Sequence, residues 1–142
     1  MTVEQVKEMM GMGFNCSQIV FASAAEELGL SKETALKTAA AFGGGMGCGE
    51  VCGAVTGGLM AIGCKYGNFA AGQADLKAVC GAKAAEFKAA FCDEYEFLRC
   101  KDILGYDFSI PGQEAEAKEK GVTAATCPQL IAYATEILKD IL

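Results

Sequence analysis

The sequence predicts an all-α fold, a single-domain compact bundle of about five to six helices in which a glycine-rich loop leads into the central helix. Three observations predict it. The chain holds only two prolines in 142 residues. Its long segments are built from Ala, Glu, Lys and Leu, which favour helix. Apolar residues also recur at three-to-four spacing, most clearly between Gln73 and Phe97, the period of a helix that buries one face. The length suits one domain and allows a core without disulfide staples. No repeat or linker divides the chain, so residues 1–142 read as one unit.

Taken in order, Thr2 caps a short helix carrying Val3, Val6, Met9 and Met10 and stopping at Gly11-Met-Gly13. Asn15 is a good N-cap for a second helix, with Cys16 in its first turn, Ile19, Val20, Ala22 and Leu28 along it, and Gly29 at its end. Ser31 caps a third, Lys32 to Ala41. The central stretch, Phe42 to Cys64, carries half of the 18 glycines and three of the eight cysteines. Gly43 to Gly49 reads as an irregular loop, and Glu50 to Tyr66 as a helix ended by Gly67. Gly49, Gly53 and Gly57 fall four apart, a smooth stripe for a close neighbour. Gln73 to about Phe97 follows, with Leu76, Val79/Cys80, Ala84, Phe87, Phe91 and Tyr95/Leu98 as its core face. Cys100 lies in a short turn ending at Gly105, Pro111-Gly112 marks a turn, and Glu114 to Lys120 is a solvated loop or short exposed helix. Thr126-Cys127-Pro128 opens the last helix, with proline in its favoured first turn.

Composition excludes several kinds of chemistry. There is no histidine, which removes Ser-His-Asp and Cys-His catalysis, His-ligated zinc and covalent haem at Cys-x-x-Cys-His. A net charge of −6 opposes binding to nucleic acid or anionic lipid. No stretch is long and apolar enough for membrane insertion, and the acidic start lacks the basic, then apolar, order of an export signal. The expected location is therefore cytoplasmic. Thiols are kept reduced there, so eight cysteines point to metal binding or redox chemistry more than to structural disulfides.

Placement singles out some of these cysteines. Cys16 and Cys52 fall near predicted helix N-termini, where the dipole favours thiolate, the form that binds metal or attacks a disulfide. Cys127 falls at or just before a third helix start, and Arg99 and Lys101 flank Cys100 with charges that favour its thiolate if they lean toward it. Cys48 is four residues before Cys52, so a helix reaching back to it would put both sulfurs on one face, as shared ligands or a reversible disulfide. Glu50 between them is a candidate local proton acceptor. Cys64, Cys80 and Cys92 read as small buried hydrophobes. The glycine loop has no Gly-Lys-Ser/Thr after it, which argues against a phosphate cradle. The methionines read as core filler, although with the cysteines they would suit Cu(I).

Cys16, the run Cys52-Gly-Ala-Val-Thr-Gly57, Cys100 in Cys-Lys-Asp-Ile-Leu-Gly, and Cys127-Pro128 together resemble the family of redox-active proteins named for the pattern C_GCAxxG_C_C, in order and in length. The resemblance implies that Cys16, Cys52, Cys100 and Cys127 form one redox-active set and are candidate metal ligands, with Cys48 a weaker one. Such a set would hold an iron–sulfur cluster, with backbone at Gly44, Gly45, Gly47 and Gly53 donating to its sulfurs, or would cycle between thiols and disulfide. A related domain occurs in split-Soret cytochromes, but this chain lacks the haem motif, so no haem is expected. The resemblance leaves the redox partner unknown and a homodimer open. A different class of reading is a non-catalytic bundle handling Zn or Cu(I), and another is a structural or interaction protein.

Overall fold

The computed structural model describes residues 1–142, and the chain is all-α. Its helices are α1 (Val3–Gly11), α2 (Cys16–Ser23), α3 (Lys32–Ala39), α4 (Gly53–Tyr66), α5 (Ala74–Tyr95), α6 (Cys100–Leu104), α7 (Gln113–Glu119) and α8 (Val122–Ile141). A one-turn segment of π type, Gly45–Gly49, separates α3 from α4. Eight helices exceed the expected five to six because α6 and α7 are separate short elements.

Helix α4 is the hub, packing against α2, α5 and α8. Its Ala54, Val55, Ala61 and Ile62 are buried, together with Ile19, Val20 and Phe21 of α2, Phe87 and Phe91 of α5, and Leu130, Ile131 and Leu138 of α8. The predicted glycine stripe sets how closely these helices approach, but Gly49 is not part of it. At Gly57 a Cβ would come within 2.6 Å of the Ser17 carbonyl, and at Gly58 it would overlap the Phe87 ring.

Both predicted N-caps of the first two helices form as capping boxes, Thr2 with Gln5 and Asn15 with Gln18. Asn15 also donates through Nδ2 to the Ala40 carbonyl (2.9 Å), and Gln18 through Nε2 to the Leu36 carbonyl (3.0 Å), tying the start of α2 to α3. Several boundaries differ from expectation. Helix α2 stops at Ser23 rather than Gly29, because the backbone tightens into three-residue turns, Ala24 N–H to Phe21 and Ala25 N–H to Ala22. Helix α3 ends at Ala39, two residues early.

Helix α4 begins at Gly53, not Glu50. Val51 instead forms an antiparallel bridge with Arg99, and the segment around it cannot be helical at the same time. Helix α8 begins at Val122, so Pro128 lies inside it. The ring removes one N–H, and the carbonyl that loses its partner is on Ala124, which is exposed and can be hydrated. The expected core face of α5 is fully buried only at Phe87 and Phe91. Val79 is 45% exposed, and alanines 74, 78, 82 and 85 are also exposed. Alanine there supports helix formation rather than packing.

The α2–α4 approach makes a prediction about two glycines of one helix. Gly57→Ala drives a methyl into backbone and costs about 1–3 kcal/mol of folding free energy. Gly63→Ala, at an exposed helical position with nothing within 4 Å of the new methyl, gains about 0.5–1 kcal/mol. Urea denaturation of both variants checks the contrast; equal effects would disprove glycine-controlled packing between α2 and α4.

Candidate functional site

A cavity of about 350 Å3 lies where α1, α2, α4, α6, α7 and α8 meet, and Cys16, Cys52, Cys100 and Cys127 all line it. Its remaining wall is mostly apolar and includes Met10, Phe14, Ile103, Leu104, Phe108 and Leu130. Glu114 and Lys118 of α7 also line it, paired with each other at 3.3 Å. The four sulfurs arrive from four different helices.

Local structure explains each placement. Cys16 is the first residue of α2, held by the Asn15 cap. Its Sγ rests against the backbone of Gly53, where a Cβ would overlap it, and this puts the sulfur over the start of α4. Cys52 is the N-cap residue of α4. The Val51–Arg99 bridge joins Cys52 to Cys100: the Cys52 N–H donates to the Leu98 carbonyl and the Cys100 N–H to the Glu50 carbonyl, both at 2.7 Å. Cys100 then opens α6, which Gly105 ends at φ +73°. Cys127 is not at a helix start as expected. It is in the second turn of α8, because that helix begins at Val122.

The glycine loop acts on the same site. Gly44, Gly45, Met46 and Gly47 all adopt the left-handed conformation, with φ between 60° and 70°. Met46 has a Cβ, so this conformation costs about 1–2 kcal/mol there. Such a turn leaves amides free to face an anion. The Gly44 N–H hydrogen-bonds to the Cys16 sulfur, as do the amides of Ser17 and of Cys16 itself. Of the four candidate glycines, Gly44 and Gly53 line the cavity, and Gly45 and Gly47 do not.

The electrostatics divide the cysteines into one anion and three thiols. A hydrogen bond from the Cys52 thiol, backed by those amides, outweighs burial and draws the Cys16 thiol down to about 6. Cys52 is pushed up well above an ordinary thiol, because it donates to Cys16, is buried and faces the Cys16 charge. Burial, then the Cys16 charge, pushes both Cys100 and Cys127 up to about 12. Arg99 and Lys101 do not lower Cys100 as expected. Arg99 is turned to Asp102 (2.7 Å) and Lys101 to Glu50 (3.1 Å).

The remaining candidates lie elsewhere. Cys48 is in the π-type turn, its thiol donating to the Gly45 carbonyl at 3.3 Å, and the helical face expected to unite it with Cys52 is not formed. Glu50 was expected between two sulfurs. Its carboxylate is paired with Lys101, outside the cavity, and only its backbone carbonyl serves the site, by fixing Cys100. Cys80 and Cys92 are half-buried on α5, while Cys64 is exposed, not buried as expected. Thr123, Glu114, Lys118, Phe14 and Phe108 line the cavity without having been singled out in the sequence. Only the i,i+4 spacing of Glu114 and Lys118 hinted at an ordered helix there.

As donors, four thiols suit an iron–sulfur cluster, zinc or Cu(I). As they stand, no three Cys, Asp or Glu residues are grouped closely enough to hold a metal ion, and three of the four sulfurs retain their protons. The arrangement does not fit a resident metal centre. It fits a dithiol pair with a thiolate already formed. No helix is long and apolar enough to cross a membrane.

Fold and site together define a class, an all-α protein with a thiolate and three thiols around one internal cavity. The chain belongs to the "Putative redox-active protein (C_GCAxxG_C_C)" family, whose sequence model matches residues 14–141. No curated protein and no solved structure matches it.

Because the Cys16 thiol is drawn down, its reactive form is populated above about pH 6. Alkylation of Cys16 by iodoacetamide should be half-maximal near that pH and level off by neutrality, while an ordinary thiol, at about 8.5, is still climbing. Cys52→Ala removes the largest cause, so the midpoint moves upward. Peptide mapping of labelled Cys16 across pH checks this; an unchanged midpoint in the variant would show that the Cys52 hydrogen bond does not hold the thiolate.

Proposed function

We propose that the protein is a redox protein whose working centre is the Cys16–Cys52 pair, cycling between thiolate–thiol and disulfide. One observation carries the reading: the Cys52 thiol hydrogen-bonds to a Cys16 thiolate inside the cavity that all four family cysteines line. In the oxidising direction the pair gives up two electrons and the Cys52 proton, and an S–S bond forms. In the reducing direction the Cys16 sulfur leaves as a stabilised thiolate, which favours the reduced state and makes the disulfide the more oxidising. Exchange beginning at Cys100 or Cys127 would first require removal of a proton that burial holds in place, so Cys16 reacts first.

The test is oxidation of the reduced full-length chain with diamide, followed by peptide mapping. We expect a Cys16–Cys52 disulfide, lost in Cys16→Ser and in Cys52→Ser and retained in Cys64→Ser. Titration against glutathione buffers should give a single two-electron transition. If the exposed Cys64 reacts first and no internal bond forms, the pair is not the centre. Protein purified anaerobically should carry no iron-dependent visible absorbance. A band that disappears in both Cys52→Ser and Cys127→Ser would replace this reading with a cluster bound by the cavity cysteines. Several Cu(I) ions per chain, bound with the pair chemically inert, would replace it with metal handling.

A further inference from the structure

Thr123 is the one cavity residue whose buried polar atom has no partner: its Oγ1 is out of contact with solvent and makes no hydrogen bond. Such a group costs about 1–3 kcal/mol unless a bound molecule satisfies it. The rest of the lining offers little polarity, since Glu114 and Lys118 are engaged with each other and eleven of the 18 lining residues are hydrophobic. The site therefore presents a nucleophilic sulfur, a second thiol beside it, one unused hydroxyl and an apolar wall.

These features select among the oxidants a dithiol can meet. Cys52 and Cys100 are only 7% and 6% exposed, so the disulfide of a folded protein cannot reach the pair, whereas a small molecule can enter. A small disulfide leaves as a thiolate, which needs no help from a hydroxyl donor. A hydroperoxide leaves as an alkoxide, far more basic, and gains from a donor placed where its charge develops. The buried anion on Cys16, together with the Glu114 carboxylate, disfavours a negatively charged substrate. The apolar wall favours one with a hydrocarbon body over hydrogen peroxide.

We propose that the cavity is the binding site for an uncharged organic hydroperoxide, which Cys16 reduces to the alcohol with Thr123 as the donor to the departing oxygen and Cys52 as the resolving thiol. The proposal rests on the Cys16–Cys52 reading above and names its substrate class. The Cys16 sulfur attacks the terminal peroxide oxygen, and the O–O bond breaks. The sulfur is oxidised by two electrons to sulfenic acid, and the peroxide is reduced to an alkoxide that takes a proton from water to become the alcohol. The Cys52 sulfur then attacks the sulfenic sulfur. The S–S bond forms, the S–O bond breaks, and hydroxide leaves with the Cys52 proton as water. An external dithiol, oxidised in turn, returns two electrons and two protons.

The experiment uses the reduced full-length chain with tert-butyl hydroperoxide, following peroxide loss by ferrous-xylenol orange and the protein by peptide mapping. The expected result is one peroxide consumed per Cys16–Cys52 disulfide formed, with Cys52→Ser stopping at a sulfenic acid on Cys16 that dimedone traps. Thr123→Val should slow the hydroperoxide reaction by about tenfold or more, the cost of one hydrogen bond to a charged group. It should leave the diamide reaction unchanged, and Thr123→Ser should restore the rate. If diamide forms the disulfide but tert-butyl hydroperoxide reacts no faster than with free cysteine, or slower than 2-hydroxyethyl disulfide, the substrate class is wrong while the pair stands. If neither reagent forms the bond, the pair itself falls. If Thr123→Val slows both reactions equally, the hydroxyl is structural and the proposed donor role is overturned.

Discussion

The close approach of α2 to α4 is the constraint on which the rest depends. Three glycines of α4 permit it: Gly53 against the Cys16 sulfur, Gly57 against the Ser17 carbonyl and Gly58 against the Phe87 ring. Without them the first turn of α2 would stand farther from the start of α4, and the cysteines at those two helix starts would not share a proton. The contact that packs the core at Ile19, Val20, Ala54 and Val55 is thus also the one that sets the chemistry at Cys16. A helix interior gives up stability at each glycine; here what it gains is proximity of two backbones, and with it a sulfur seated against a helix N-terminus.

Charge explains why one cavity with four thiols does not behave as four equal sites. Hydrogen bonds from one thiol and three amides are enough to hold a single anion in an apolar enclosure. That anion then works against ionisation of every neighbour, and its influence is felt at Cys52, Cys100 and Cys127 alike. Bringing all four to thiolates would need a compensating cation, and Lys118, the one cationic residue in the lining, is engaged by Glu114. The asymmetry gives the site a nucleophile at neutral pH and keeps its partner thiol protonated and in contact.

Much of this was legible from the chain alone, for reasons that differ by element. The caps at Thr2, Asn15 and Ser31 are local hydrogen-bonding motifs and formed where expected. The all-α class followed from propensity and period. The gathering of Cys16, Cys52, Cys100 and Cys127 came from their matching a family pattern, and the cavity brings them together. What stayed hidden was non-local. The Val51–Arg99 bridge depends on a partner 48 residues away; it delays α4 to Gly53, and it undid the expected Cys48–Cys52 face. Proline at position 128 was read as a helix start, because nothing nearby in sequence reveals that Ala124 is exposed and its carbonyl can be left to water. Arg99 and Lys101 flank Cys100 in sequence, yet each side chain found a carboxylate instead, a choice that only tertiary structure settles.

The strained turn before α4 shows where stability is exchanged for function. Four consecutive left-handed residues, one of them Met46, are a poor way to connect two helices, and a shorter right-handed turn would serve as a linker. The segment is ordered by what lies on either side: Gly43 packs so tightly against Asn15 that a side chain there would collide with it, and Glu50 N–H closes the turn onto the Gly45 carbonyl at 3.0 Å. Between these anchors the Gly44 amide is delivered to the Cys16 sulfur. The Asn15 side chain therefore serves the site twice, capping the helix that begins with Cys16 and bracing the loop whose amide helps keep that sulfur ionised. A residue that never touches the sulfur through its own side chain in this way couples the folding of α2 to the charge in the cavity.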